Sequence, residues 1–173
     1  MKVLQINTVV NSGSTGKIAE SIGEVIIKHH GQSYIAFGRN ERTSASQLLK
    51  VGTKAGIYLH VIQTRLFDMH GWGSGTATRK LIKEVERINP DIIHLHNIHG
   101  YYLNAWALFD FLKRIKKPVV WTLHDCWAFT GHCSHFSGVE CIKWQTECNK
   151  CPIKASYPKS LLDYSRRNYN KKK

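Results

Sequence analysis

The sequence predicts an α/β domain: a parallel sheet with helices on both faces, joined to an irregular, cysteine-rich C-terminal segment. Three observations predict it. Apolar strand-like runs pass directly into polar turns three times: Val3 to Asn7 into Ser12-Gly13-Ser14-Thr15-Gly16-Lys17, Asp91 to His94 into His96-Asn97-Ile98-His99-Gly100, and Pro118 to Leu123 into His124-Asp125. These runs alternate with stretches of helical periodicity, as in a parallel sheet whose strands are buried on both faces. From Cys126 to Pro158 no period survives, and all 5 cysteines fall inside that window.

In chain order, the first strand and its turn are followed by Ile18, Ile22, Val25 and Ile26, spaced i, i+4, i+7, i+8 as one stripe of a helix. Gln32 to Phe37 reads as a second strand closed by Gly38, and Leu48 to Val51 as a short third. Tyr58, Val61, Ile62 and Leu66 repeat with helical spacing up to the breaker His70-Gly71-Trp72-Gly73-Ser74-Gly75. Leu81, Ile82, Val85 and Ile88 define a further helix, stopped at Asn89-Pro90 because the residue before proline is pushed out of the α region. The strand from Asp91 follows, then a helix marked by Leu108, Phe109, Leu112 and Ile115, then the strand opened by Pro118. Leu161, Leu162 and Tyr164 start a last helix that runs into basic residues.

At 173 residues and 42% hydrophobic, the chain has enough material for one domain with a core and too little for two of ordinary size. We divide it into residues 1–125 as the sheet domain, 126–158 as a cysteine-rich insertion of that domain, and 159–173 as a basic tail or linker. No apolar run approaches the roughly 18 residues of a membrane span, and Met1 to Asn7 enters a strand without a signal-like apolar stretch. The expectation is a cytoplasmic protein. The 25 Lys and Arg against 12 Asp and Glu give a formal charge of +13, which favours anionic partners: sugar nucleotides, an anionic membrane surface or nucleic acid.

Three groups of residues carry chemistry. Gly13, Ser14, Thr15 and Gly16 let the backbone approach an anion, with the following helix aiming unpaired N–H groups and its positive end at it. A nucleotide-hydrolysing phosphate loop is excluded, since that motif needs glycine at Asn11 and Ser or Thr at Ile18. His94 and His96 share one face of a strand whose exit reorients His99, next to Asn97 and Gly100, and His124-Asp125 closes another strand. Cys133, Cys141, Cys148 and Cys151 are spaced C-x7-C-x6-C-x2-C, which suits a closed, structural zinc site of four thiolates, with His132 and His135 as substitute ligands. Trp121, Trp127, Phe129, Trp144, Tyr101 and Tyr102 cluster near these turns, where aromatic faces line a sugar or lipid cleft or simply pack in the core.

Taken together, Met1 to Asn7 with the Gly13–Gly16 loop, Asp91 to Asn97, and Trp121-Thr122-Leu123-His124-Asp125 resemble the N-terminal half of a GT-B-fold retaining glycosyltransferase of family four. Cys126 to Cys133 and Cys148 to Pro152 resemble more narrowly a bacterial subgroup that assembles capsular and extracellular polysaccharides. The resemblance implies a Rossmann-like domain on the acceptor side of an enzyme that moves a sugar from a nucleotide-sugar donor to a polysaccharide or lipid-linked acceptor. By the same resemblance the amides of Gly13 to Gly16 approach the donor diphosphate, and His96 is the catalytic candidate near the transferred sugar. His124 and Asp125 line the acceptor side, with Asn97, His99 and Tyr101 as further acceptor contacts. The family's C-terminal, donor-holding half has no counterpart in these 173 residues, so the chain alone is expected to be inactive and to need that domain as a partner, peripheral at the inner face of the membrane.

Two rivals follow from the same residues. A basic nucleic-acid-binding module would use the +13 charge and a zinc knuckle, yet it needs basic and aromatic residues interleaved on one face. A stand-alone α/β hydrolase would use the histidines, yet the chain has no G-x-S-x-G elbow.

Overall fold

The computed structural model describes residues 1–173. Strands β1 (Lys2–Asn7), β2 (Gln32–Phe37), β3 (Gln47–Lys50), β4 (Ile92–Leu95) and β5 (Val119–Trp121) form one sheet in the order β3-β2-β1-β4-β5, with every pairing parallel. All five strands therefore end on the same edge, and the turns after them open there. Helices α1 (Gly13–Lys28), α2 (Lys54–Phe67), α3 (Gly75–Ile88), α4 (Ala105–Ile115) and α5 (Ser165–Lys172) complete the α/β arrangement.

Alternation along the strands sorts residues between two faces. Leu4 and Ile6 of β1 join Ile93 and Leu95 of β4 in the main core, which α3 and α4 cover with Leu81, Val85, Leu108 and Phe111. The other face carries Ile35 and Phe37 of β2 against Ala19 of α1. Gln5 points to the same side, where its Nε2 donates to the Ala19 carbonyl at 2.8 Å. His94 and His96 lie on that side too, beyond α1. The edge strand β5 is left partly bare there, with Val120 50% exposed.

Two helices turn differently from their apolar repeats. In α1 the buried positions are Gly16, Ala19, Glu20 and Gly23, while Ile18 and Val25 are exposed. The cause is close approach: a Cβ on Gly23 would meet Ser46 Oγ at 2.3 Å and Ser33 Oγ at 2.9 Å, so only glycine lets the helix down onto the sheet. Glu20 is held there by the Ser44 hydroxyl and the Ala45 N–H. In α2 the buried residues are the polar His60 and Thr64, and the repeat Tyr58, Ile62 and Leu66 faces outward. His60 accepts from Gly73 N–H through Nε2 (3.2 Å), so its Nδ1 carries the proton and donates to Ser74 Oγ (3.0 Å). Those bonds tie the polar side of α2 to the glycine-rich turn. A side chain on Gly73 would strike the His60 ring.

The cysteine-rich segment is irregular apart from two short 3-10 turns at Ser137–Val139 and Lys143–Gln145. Aromatic packing holds it: Phe129, Phe136 and Trp144 form a three-way cluster with ring centroids 5.3–6.3 Å apart. The basic C-terminal residues, expected as a tail, fold back as α5 with Ser165, Asn168 and Tyr169 buried. Tyr169 OH donates to Trp144 O, and Lys172 Nζ to the carbonyls of Trp127 and Thr130. A buried pair fastens the far end of α2 to the same region: Asp68 Oδ1 accepts from His132 Nδ1 at 2.6 Å, and its Oδ2 from Tyr164 N–H at 2.9 Å.

Candidate functional site at the carboxyl edge of the sheet

The turns after β1, β4 and β5 meet through side-chain bonds that span much of the sequence. Thr8, just beyond β1, donates its hydroxyl to the carbonyls of His99 (2.7 Å) and Asn97 (3.0 Å) in the turn after β4. Gly100 makes this contact feasible with φ of +109° and no side chain, since a Cβ there would meet Thr8 at 2.8 Å. Tyr102 OH donates to Asn97 O from the other side at 2.8 Å. Of the predicted site residues, His96, Asn97, His99, His124 and Asp125 come together here, lining one small cavity of about 10 Å³.

His96 is 1% exposed and both its ring nitrogens are engaged. Its Nε2 faces Gln5 Oε1 at 3.0 Å and its Nδ1 faces His124 Nε2 at 3.0 Å. The Gln5 amide is oriented by its own N–H bond to Ala19 O, so Oε1 is the acceptor and His96 carries its proton on Nε2. His96 Nδ1 then has only a lone pair to offer, and His124 must donate to it from Nε2. The chain of bonds leaves His124 Nδ1 as a lone pair at the half-buried rim. Burial first, then the neighbouring His94 and His124, drives the His96 pKa down to about 3, which keeps the ring neutral. His94 is lowered as well, by burial and by His124, and it bonds Thr122 Oγ1 at 2.8 Å.

His99 and Asp125 form the second pair. His99 Nε2 meets Asp125 Oδ2 at 2.7 Å, and Asp125 Oδ1 accepts from Trp127 N–H at 2.9 Å. Burial alone would raise the Asp125 carboxyl, but the bond from His99, its charge and the Trp127 N–H outweigh it and hold the pKa below the usual carboxylate value. The other ring nitrogen of His99, Nδ1, is buried without a partner. Beside it lies a residue the sequence did not single out, His70, whose Nε2 accepts from Gly100 N–H at 3.2 Å and whose pKa burial holds well below the ordinary histidine value. His70 packs on His99, Tyr101, Trp127 and Tyr157 in an aromatic nest. Tyr101 lies in this nest rather than at the rim, 8% exposed, with φ of +71° and the Arg39 guanidinium 5.9 Å from its ring.

The Gly13–Gly16 turn opens from the same edge. Ser12 caps α1 without a side-chain bond and the first turn has no acidic residue, so its amides are free to meet an anion. Gly13, at φ of +60°, and Ser14 are exposed, whereas Gly16 is buried against Val9 and the Asn11 backbone. A cavity of about 770 Å³ lies to one side, between α2, the end of β3 and the start of α3.

The zinc site expected from cysteine spacing is not assembled. No group of three or more His, Cys, Asp or Glu is arranged to hold a metal ion, and Cys133, Cys141, Cys148 and Cys151 are all free thiols. Cys133 and Cys151 lie near each other, and the Cys151 thiol lowers the Cys133 pKa while burial opposes it.

Comparison with known proteins adds to this geometry. The Glycosyltransferase Family 4 model matches residues 28–151. The putative colanic acid biosynthesis glycosyl transferase WcaC of Escherichia coli (strain K12) is 28% identical over 175 residues, covering 94% of this chain and 42% of that protein. The chain thus spans less than half the length of this curated relative. No solved structure matches it.

Proposed function

Since the chain belongs to glycosyltransferase family 4, we propose that it is the acceptor-side part of an enzyme that transfers a sugar from a nucleotide-sugar donor to an exopolysaccharide or lipid-linked glycan. The observation that carries the reading is the lone pair of His124 Nδ1 at the rim, fixed by a relay through His96 and Gln5 to the backbone of α1. A nitrogen so held accepts a hydrogen bond from a sugar hydroxyl without a competing protein partner.

In this reading His124 contacts the sugar and His96 is a positioning residue that fixes its tautomer. Asp125 and His99 hold the turn after β5 against the turn after β4, and Asn97 offers its amide between them. The amides of Gly13, Ser14, Thr15 and Gly16 face the donor diphosphate, where fixed N–H dipoles stabilise the negative charge of the departing group. The groups that grip the nucleotide come from a second domain, in keeping with the 42% of the relative's length that the chain covers. Neither rival finds support: the thiols form no knuckle for nucleic acid, and the histidines stand beside no hydrolytic nucleophile elbow.

The test joins this chain to a donor-binding C-terminal domain and measures sugar transfer. His124→Ala should lower kcat/KM by at least about tenfold, or about 1.4 kcal/mol of barrier. A smaller loss would remove His124 from the site.

A further inference from the structure

Arg39 stands where β2 leaves the carboxyl edge of the sheet, and its charge has no counterpart in the fold. It takes part in none of the chain's ion pairs, and its Nε is buried without a hydrogen-bond partner. Its backbone N–H donates to Thr8 O at 3.0 Å, which fixes it beside the turn after β1, and its guanidinium lies 5.9 Å from the Tyr101 ring. Six buried side-chain polar atoms in the chain lack a partner, and three of them gather around that ring: Arg39 Nε, His70 Nδ1 and His99 Nδ1. His70 accepts from Gly100 N–H through Nε2, so its Nδ1 carries the proton and is a second unused donor near the cation. Burial raises the pKa of the Tyr101 and Tyr157 phenols and Arg39 opposes it in both, so the charge stands close to either ring. Buried polar groups are ordinarily paired within the fold, and a cluster left unpaired is a cost that the fold itself does not repay.

We propose that Arg39 is a recognition residue for a negatively charged sugar on the acceptor side, gripping its carboxylate or phosphate group. With Nε buried, the two terminal nitrogens remain for an end-on, two-bond approach, in which a guanidinium matches a carboxylate or phosphate. The acceptor side is favoured over the donor diphosphate because the guanidinium leans on the turn after β4. Tyr101 there packs on His70, His70 packs on His99, and His99 Nε2 meets Asp125 Oδ2 at 2.7 Å, next to His124. Tyr157, 44% exposed and with its ring 6.1 Å from that of Tyr101, adds an aromatic face to the same cluster. That the ligand is a sugar rests on the transferase reading; that it is an anion rests on Arg39 and the unused donors around it.

The experiment titrates the chain with glucuronate, glucose 6-phosphate, glucose and inorganic pyrophosphate, following the ring signals of its histidines by NMR, without any transfer reaction. The two acidic sugars should shift the His70 and His99 signals saturably. Glucose should bind at least about tenfold more weakly, since hydrogen bonds to charged groups are the stronger ones, and the tighter acidic sugar identifies the group that is read. Arg39→Gln should weaken both acidic sugars at least about tenfold and leave glucose unchanged, while Arg39→Lys should recover part of the loss because it restores the charge without the planar fork. Lys28→Gln, at the end of α1 on the opposite edge of the sheet, should bind as the parent does. Circular dichroism and thermal melts establish that each variant is folded. Undiminished binding by folded Arg39→Gln, equal binding of glucose and the acidic sugars, or no binding of either acidic sugar would each overturn the proposal. Pyrophosphate held through Arg39 more tightly than either sugar would also overturn it, assigning the residue to the departing diphosphate. These titrations involve no transfer step, so they stand or fall separately from the His124→Ala test.

Discussion

His96 and His124 lie nearly parallel, their planes 19° apart, with Nδ1 of the first 3.0 Å from Nε2 of the second. One ring is fully buried and the other reaches the rim, so a tautomer set in the interior is delivered to the surface. The setting begins at the backbone of α1, passes through Gln5 and crosses two turns of the sheet edge.

Breaking the relay at its inner end should therefore cost stability. Gln5→Met keeps the length of the side chain and removes the acceptor of His96 Nε2–H. A buried polar group left unpaired costs about 1–3 kcal/mol. Urea denaturation should show that loss at constant slope, and an unchanged midpoint would refute the assigned bond.

Acid should destabilise the fold before any carboxylate titrates. His60 is lowered to about 4 and His96 to about 3, in both cases chiefly by burial, against an ordinary value of 6.5. The unfolded chain binds protons below pH 6.5 that the folded chain refuses down to those lower values, so stability rises with pH across that window. Each ring contributes up to about 2 kcal/mol of the loss at about pH 5. Melting temperatures measured from about pH 7 to pH 5 should fall, and His60→Gln should flatten the slope.

Asp125 works in the opposite sense. Its carboxyl is held below the ordinary value despite burial, so its contribution is present above the unfolded pKa and fades as acid protonates the folded form. Asp125→Asn should cost about 1–3 kcal/mol near neutrality. The difference from the parent should shrink in strong acid, and a difference independent of pH would exclude an ionised Asp125.

Asp68→Ala should be the most damaging of these changes. It strands His132 and the Tyr164 N–H in a buried site and loosens the attachment of α5, at a cost of about 3–5 kcal/mol. Limited proteolysis should cut the cysteine-rich segment and α5 first, while residues of the sheet stay protected.

The strands and helices were legible in the sequence because the alternation of short apolar runs with helical repeats leaves little else to build. What an apolar repeat does not reveal is the neighbour it faces. In α1 the sheet takes the small residues Gly16, Ala19 and Gly23, since bare backbone can come closer than any Ile18 or Val25. In α2 two polar residues occupy the inner side because the glycine-rich turn satisfies them. At the site, the histidines announced themselves by clustering, but Gln5 and Thr8 did not: the bonds from Gln5 to His96 and from Thr8 to His99 each span 91 positions. The cysteine spacing showed which thiols are near along the chain and said nothing of whether they converge in space as a metal-holding group, which they do not.

The turn between β4 and α4 is pinned from two directions, by Thr8 on His99 O and by Tyr102 on Asn97 O. Its conformational freedom was surrendered during folding, so a ligand arriving at this edge meets a surface with little ordering left to do. Calorimetry of any ligand that binds at this edge should then report the release of water, with almost nothing from the loop itself.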